Sequence, residues 1–367
     1  MPDLADKERD MMSGRPMGRW NMALAALGVL AVMAAPTFAA EPEPTDWQAG
    51  LAETAERAQA QEQMVLEGAD GWLWFVPELR HLGVGAFWGE RAVEVSEAAN
   101  PDWADPTPAI LDFHAQLERA GIELILLPVP AKAVIYPDKL PADAGAGVAE
   151  QRLDTHHVRF YERLEAEGVE VLDLTPRLLA WRREAELRGP LYCRQDTHWS
   201  GLASVFTAEL LAERLRAAPW FEDVAQHDYD TEWRDVTITG DLYQMLEDPT
   251  MEKETLPLRF VTDPASGQPV EPWRESPVLL VGDSHTLVFH VGGDLHATGA
   301  GLAEQLAAEL GFAPDVVGVR GSGATPSRIA LLRRGDNLAG KRVVIWCFSV
   351  REFTQGQGWR EVPVIRE

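Results

Sequence analysis

The chain has 367 residues, 46% of them hydrophobic, and a formal net charge of −25 with a pI near 4.7. That length buries a full core in one large domain or two small ones, and the composition excludes disorder over most of the chain. So acidic a balance excludes nucleic acid as a partner, because phosphate contacts need clustered Lys and Arg. It also argues against electrostatic capture of a polyanion except at a local basic patch.

Residues 1–40 read as an export signal. Arg15 and Arg19 precede the apolar run Met22 to Ala35, and Ala35-Pro36-Thr37-Phe38-Ala39-Ala40 offers a small-residue cleavage site near Ala39 and Ala40. An uncleaved membrane anchor is the competing reading, but the run is shorter than the roughly 18 apolar residues a spanning helix needs. No other stretch of the sequence is long and apolar enough to cross a membrane.

Residues 41–63 form an N-terminal helical segment, with Asp46 to Met64 rich in Ala, Glu and Gln. Gly68-Ala69-Asp70-Gly71 predicts a turn into the aromatic strand Trp72-Leu73-Trp74-Phe75. The aromatics that follow, through Phe87-Trp88, are expected to serve core or lid packing, with a sugar platform as the second option. After a Pro-rich break at 102–108 the pattern alternates. Residues 109–120 predict an amphipathic helix, 122–127 a strand, 148–167 a helix, 169–174 a strand, and Thr175-Pro176 the start of another helix. His156-His157 lies among charges and is expected on a solvated helix surface. Leu191-Tyr192-Cys193 leads into Arg194-Gln195-Asp196-Thr197-His198-Trp199-Ser200, followed by a helix over 201–217.

Residues 218–274 have no clear period and read as an irregular insertion beside the site, with one short strand at 258–261. The last third is clearer. Pro277 to Val281 is a buried strand turning at Gly282-Asp283-Ser284; a helix at 302–310, a strand at 315–319, the turn Gly321-Ser322-Gly323, a helix at 326–334 and a strand at 343–348 follow. Short apolar strands separated by helices predict an α/β fold with a parallel, doubly wound sheet covered on both faces. Ligands of such sheets bind beyond the strands' carboxyl ends. Ser284, Gly321 to Gly323, Ser349 to Arg351, Lys132 and the Asp196 segment all lie just after strands. Cys193 and Cys347 are the only cysteines, and whether they pair stays open.

The chemistry points to Asp196, His198 and Ser284. A hydroxyl is a poor nucleophile until an imidazole removes its proton, and a carboxylate on the far ring nitrogen fixes the tautomer and stabilises the imidazolium. The amide of Ser284 and one from the Gly321 to Gly323 turn are candidates for the oxyanion donors. Asp283 is expected to brace the turn. His285 adjoins the nucleophile but ranks below His198, because neighbours on a tight turn rarely face each other. Two separated cysteines make no zinc site, and neither a metal nor a cofactor is expected.

A Gly-Asp-Ser ending a first strand, a glycine after the second and a later Asp/His pair resemble the SGNH hydrolases, a three-layer α/β/α fold. Here the order is that of a circular permutant, with the Gly-Asp-Ser strand and its two successors closing the chain. More narrowly, Gly71-Trp72-Leu73-Trp74, Glu78-Leu79-Arg80-His81, Ala131-Lys132-Ala133-Val134-Ile135-Tyr136-Pro137, Asp196-Thr197-His198-Trp199 and Trp346 with Arg351 resemble the alginate O-acetyltransferase family AlgJ/AlgX, over roughly residues 64–355. The resemblance implies a periplasmic enzyme that acetylates hydroxyls of an exported polysaccharide, with a membrane-bound O-acyltransferase as acetyl source. It implies Ser284 as nucleophile, His198 as base and Asp196 as its orienter. Arg351 is a candidate for binding the acceptor or the oxyanion, Lys132 and Tyr136 are candidates for the acceptor groove, and Trp199 is expected to pack so as to hold His198, with stacking on a sugar second. A carbohydrate acetylesterase with water as acceptor, and a non-catalytic glycan-binding or scaffold protein of a secretion complex, are the alternatives.

Overall fold

Apolar runs without alternation predict strands buried on both faces, and the structure sets three of them side by side at the centre of one sheet. The computed structural model describes residues 43–142, 144, 151–185 and 187–366. The proposed export signal lies outside these residues. Among the described residues no helix is long and apolar enough to cross a membrane.

The first helix, Asp46–Ala60, is closed by a capping box in which Thr45 and Gln48 exchange hydrogen bonds, and it buries Trp47, Leu51, Ala55 and Ala58. It stops short of Met64 because Glu62 turns left-handed, at φ +57°. Strands β1 (Val65–Glu67) and β2 (Leu73–Phe75) then form an antiparallel hairpin. Trp72, Trp74, Phe87 and Trp88 are all buried, so the aromatic segment is core packing. Helix Pro106–Arg119 begins inside the Pro-rich break: Asp105 accepts the Thr107 N–H at 2.9 Å, and Pro106 occupies the first turn, where a missing N–H costs nothing.

β3 (Glu123–Val129) and β4 (Glu170–Val171) follow, then a hairpin of β5 (Asp230–Thr237) and β6 (Thr255–Thr262), then β7 (Val278–Gly282), β8 (Asp315–Gly318) and β9 (Val343–Ser349). The central sheet is parallel, in the order β4-β3-β9-β7-β8. β7 and β9 are buried at every position and β3 at all but its first, which requires helices on both faces. Trp346 of β9 pairs with Leu126 on one side and Val281 on the other. Counted from β7, through β8 and β9 and then β3 and β4, the strand order is 2-1-3-4-5, a doubly wound arrangement whose chain has been reopened between its third and fourth strands. The switch in winding direction falls between β7 and β9, and ligands of such sheets bind beyond the strand ends at that point.

Three expectations need correction. Helix Thr155–Ala166 starts at residue 155, after the Arg152–Asp154 ion pair, so the described residues 151–154 are not part of it; residues 148–150 of the expected helix lie outside the described residues. His156 and His157 are buried rather than solvated. They share a stripe with Phe160, Tyr161 and Leu164, and their ring nitrogens bond Gln48 Nε2 at 3.0 Å and His81 Nε2 at 2.8 Å. Burial holds the His157 imidazole down to about 4, and that of His81 well below its ordinary value. The 218–274 stretch, expected to be irregular apart from a short strand at 258–261, holds an antiparallel pair of eight-residue strands, β5 and β6. Cys193 and Cys347 are separate buried thiols.

Candidate active site

The carboxyl end of β7 turns at Asp283, whose two carboxylate oxygens accept the N–H groups of His285 and Ser349, each at 2.8 Å. This ties the turn to the end of β9 and places Ser284 at the start of a one-turn helix, Ser284–Leu287, over the switch point. Gly323 packs behind it: a Cβ there would lie 2.9 Å from Asp283 N and 2.6 Å from Phe348 Cβ, so only glycine lets this loop approach the Ser284 turn. The loop is held from two sides. Trp346 Nε1 donates to Gly323 O at 2.7 Å, and Ser322 Oγ donates to Glu352 Oε2 at 2.6 Å. Gly321 contributes the left-handed step of the turn, at φ +83°.

The Asp196 loop arrives from the other half of the chain. His198 Nε2 lies 2.7 Å from Ser284 Oγ, and His198 Nδ1 lies 2.6 Å from Asp196 Oδ1. All three side chains are largely buried. Burial opposes ionisation of Asp196, but His198 and His296 outweigh it and hold its carboxyl well below the usual carboxylate range. Burial likewise opposes protonation of His198, and the Asp196 carboxylate outweighs it, so the imidazole is raised. An anionic Asp196 must accept from Nδ1–H, which leaves the Nε2 lone pair for the serine hydroxyl.

The remaining expected residues fall in distinct places. Lys132 is buried, and its ammonium donates to the carbonyls of Cys193 (3.0 Å), Arg194 (3.2 Å) and Asp196 (3.0 Å). Three donors on three acceptors leave nothing for an acceptor sugar, so Lys132 clamps the Asp196 loop instead. Trp199 is fully buried, with Nε1 donating to His285 O at 3.2 Å, and presents no face for a sugar. Tyr136 accepts the Leu191 N–H at 2.9 Å and stacks between Trp72 and Arg182. Its edge, with Lys139, Arg182 and Arg194, lines a 410 Å³ cleft. Arg351 lies over Phe75, its guanidinium carbon 5.1 Å from the ring centroid, with Nη1 buried and without a hydrogen-bond partner. Its charge opposes protonation of both His198 and His285. His285 is buried beside His198, ring centroids 4.7 Å apart, and burial lowers it; its Nδ1 makes no hydrogen bond.

Three residues that sequence reasoning did not single out also converge on the Asp196 loop. Asp241 N–H donates to Asp196 Oδ2 at 2.8 Å, and the Asp241 carboxylate takes both the N–H and hydroxyl of Thr197. Glu254 accepts the N–H groups of Arg194 and Gln195 at 2.8 and 2.9 Å. His296 Nε2 lies 3.0 Å from Asp196 Oδ2. Two of the three come from the 218–274 stretch, which thus braces the loop. Ligand atoms of Asp196, His198 and Asp241 lie within 4.8 Å of one another, a spacing open to a metal, but they are engaged with each other, Ser284 and Thr197.

Residues 65–350 match the family model for the SGNH hydrolase-like domain of the acetyltransferase AlgX. The chain belongs to this family. Among relatives of the AlgX family, a Pseudomonas aeruginosa protein named "Probable alginate O-acetylase AlgJ" is 28% identical over 193 residues, which cover 53% of this chain and 44% of that one. The chain thus spans less than half the length of this relative. An AlgX of Pseudomonas putida, named an alginate biosynthesis protein, is 24% identical over 130 residues, covering 34% of this chain and 27% of its own. In fold the chain is similar to the O-acetyltransferase domain of Pseudomonas putida AlgJ, with a TM-score of 0.57 at 22% identity, over 79% of this chain and 92% of that one. It is also similar to Pseudomonas aeruginosa AlgX, at 0.54 and 17% over 78% and 61%.

Proposed function

We propose that the chain is an O-acetyltransferase that moves acetyl groups onto hydroxyls of an exported polysaccharide through an acetyl-serine intermediate. The observation that carries this is the hydrogen-bonded line from Ser284 through His198 to Asp196, with an imidazole whose free lone pair faces the hydroxyl. In the first half-reaction Ser284 Oγ attacks the acetyl carbonyl carbon and its proton passes to His198 Nε2. The donor's leaving oxygen departs with that proton, and acetyl remains on Ser284. In the second, an acceptor hydroxyl gives its proton to His198 and attacks the acetyl-serine; the ester forms on the acceptor and Ser284 regains the proton. Negative charge on the carbonyl oxygen is met by N–H donors of Ser284 and the Gly321 to Gly323 loop.

The names of the relatives support alginate as the acceptor. The sequence of residues 1–40 supports export to the periplasm, and there a membrane-bound acyltransferase is the acetyl source. The test is mass spectrometry of the protein after exposure to an activated acetyl ester, followed by incubation with and without alginate oligosaccharide. The expected result is an acetyl adduct on Ser284 that transfers to the oligosaccharide, absent in Ser284→Ala and His198→Ala. Free acetate alone in both incubations would make the protein an esterase, and no adduct at all would remove the covalent mechanism.

A further inference from the structure

The Asp196 carboxylate is the most heavily constrained group in the site. Its Oδ1 takes His198 Nδ1–H and the His198 backbone N–H, at 2.6 and 3.0 Å. Its Oδ2 takes the Asp241 backbone N–H and the ring of His296, at 2.8 and 3.0 Å. Four donors occupy the roughly four lone-pair sites a carboxylate offers. Since an ionised Asp196 only accepts, His296 must donate from Nε2.

The backbone that delivers His296 is unusual. Its φ of 75° and ψ of −76° lie in the rare γ-turn region, which strains any residue with a side chain. The surrounding segment enforces it. Phe289 accepts the Ala300 N–H and donates to Leu295 O, Gly292 donates to Ala297 O, and Val291 bridges Thr298. The imidazole is 3% exposed and lies near the Phe289 ring. A strained turn that buries one polar ring against one oxygen is kept where that contact is needed.

We infer that His296 is a positioning residue for the Ser284 chemistry: it pins the outer oxygen of Asp196, so that the inner oxygen stays on His198 Nδ1–H as the imidazole takes and returns the serine proton. Two imidazoles thus share one carboxylate, one exchanging protons with the nucleophile and one holding the carboxylate still. This rests on the acyl-transfer reading for its kinetic consequence, while the hydrogen-bond role is separate from it.

The test uses two replacements that differ in where they place an amide. Gln carries its Nε2 near the position of the imidazole Nε2 and keeps the donor; Asn, among the non-glycine residues most often found at positive φ, is too short to reach Asp196. On the full chain, with an activated acetyl ester as substrate, His296→Asn should lower kcat on the order of 10- to 100-fold with KM nearly unchanged, the worth of one hydrogen bond to a charged group. His296→Gln should restore most of it. In parallel, the downfield NMR resonance of the His198 Nδ1 proton should persist in wild type and His296→Gln and broaden or vanish in His296→Asn. Wild-type kcat and an unchanged resonance in a folded His296→Asn would overturn the inference, as would equal losses in both variants. If wild type shows no Ser284-dependent turnover but the resonance follows the Gln/Asn pattern, acyl transfer falls and the positioning role stands.

Discussion

Gly240→Ala isolates the contact between the 218–274 stretch and the Asp196 loop. Gly240 has φ −62° and ψ 155°, a conformation alanine adopts without strain, so the effect of the added methyl is purely steric. Its Cβ would lie 2.0 Å from Gln195 O and 3.1 Å from Asp196 Cβ, where real side-chain carbons do not come within 3.0 Å of such atoms. Gln195 has no freedom to recede. Its N–H is held by Glu254 at 2.9 Å, and its carbonyl accepts the Tyr243 N–H at 3.0 Å. One of the two loops must therefore shift by about 1 Å, and the 2.8 Å bond from Asp241 N–H to Asp196 Oδ2 is lost or stretched. A displacement of about 1 Å in a positioning group costs on the order of 10²-fold in rate, about 2.7 kcal/mol of barrier. The assay is steady-state hydrolysis of a chromogenic acetyl ester with purified protein, alongside thermal unfolding. The expected outcome is a loss in kcat with a smaller change in KM, and a Tm lowered by a few degrees. A folded Gly240→Ala protein with kcat within about threefold of wild type would refute the claim that this packing sets the carboxylate's position.

Two further outcomes follow from the buried titrating groups. On the proposed acyl-transfer reading His198 serves as a base only when neutral, and the Asp196 carboxylate raises it above the ordinary value of 6.5, so kcat/KM for ester turnover should climb with pH along a limb centred above that value. Asp196→Asn should move the limb down and cost on the order of 10⁴-fold, and an unmoved limb would contradict the assignment of the base. Glu352, which holds Ser322, is pushed by burial from 4.5 up to about 7. Its folded state therefore keeps a proton that the unfolded chain releases near 4.5, and stability falls as pH rises from there through 7. Urea denaturation should show Glu352→Gln gaining on wild type between pH 5 and pH 8, by up to about 3 kcal/mol, and a gain that does not change with pH would exclude this linkage.

Why some of this is legible in the amino-acid sequence and some is not follows from how each residue is buried. β3, β7 and β9 lie under helices on both faces, so their apolar runs carry no alternation to confuse with a loop. β5, as Asp-Thr-Glu-Trp-Arg-Asp-Val-Thr, is exposed at seven of its eight positions, and no burial pattern marks it as a strand. Asp196, His198 and Ser284 stand out because their residue types suit one chemistry and follow strand-like runs. Asp241, Glu254 and His296 look like ordinary loop residues, and their partners lie 45, 59 and 100 positions away or thereabouts in the chain. The position of Lys132 after β3 puts it near the site, but a long cation just past a Pro-Val-Pro segment does not announce that its ammonium will close on three carbonyls. The burial of His156 and His157 is hidden in the sequence because the charges around them mask the apolar period of Phe160, Tyr161 and Leu164.

β9 lies in the middle of the sheet yet is the last of the described strands to leave the ribosome. Until residues 343–349 are available, β3 with β4 and β7 with β8 have no common neighbour, and the pairing of Glu123 with Val343 closes one of the longest loops in the molecule. Pairings so remote in sequence form slowly. The nascent polypeptide therefore lacks a finished sheet for most of its synthesis, and His198 is translated long before the strand that unites its half of the sheet with that of Ser284.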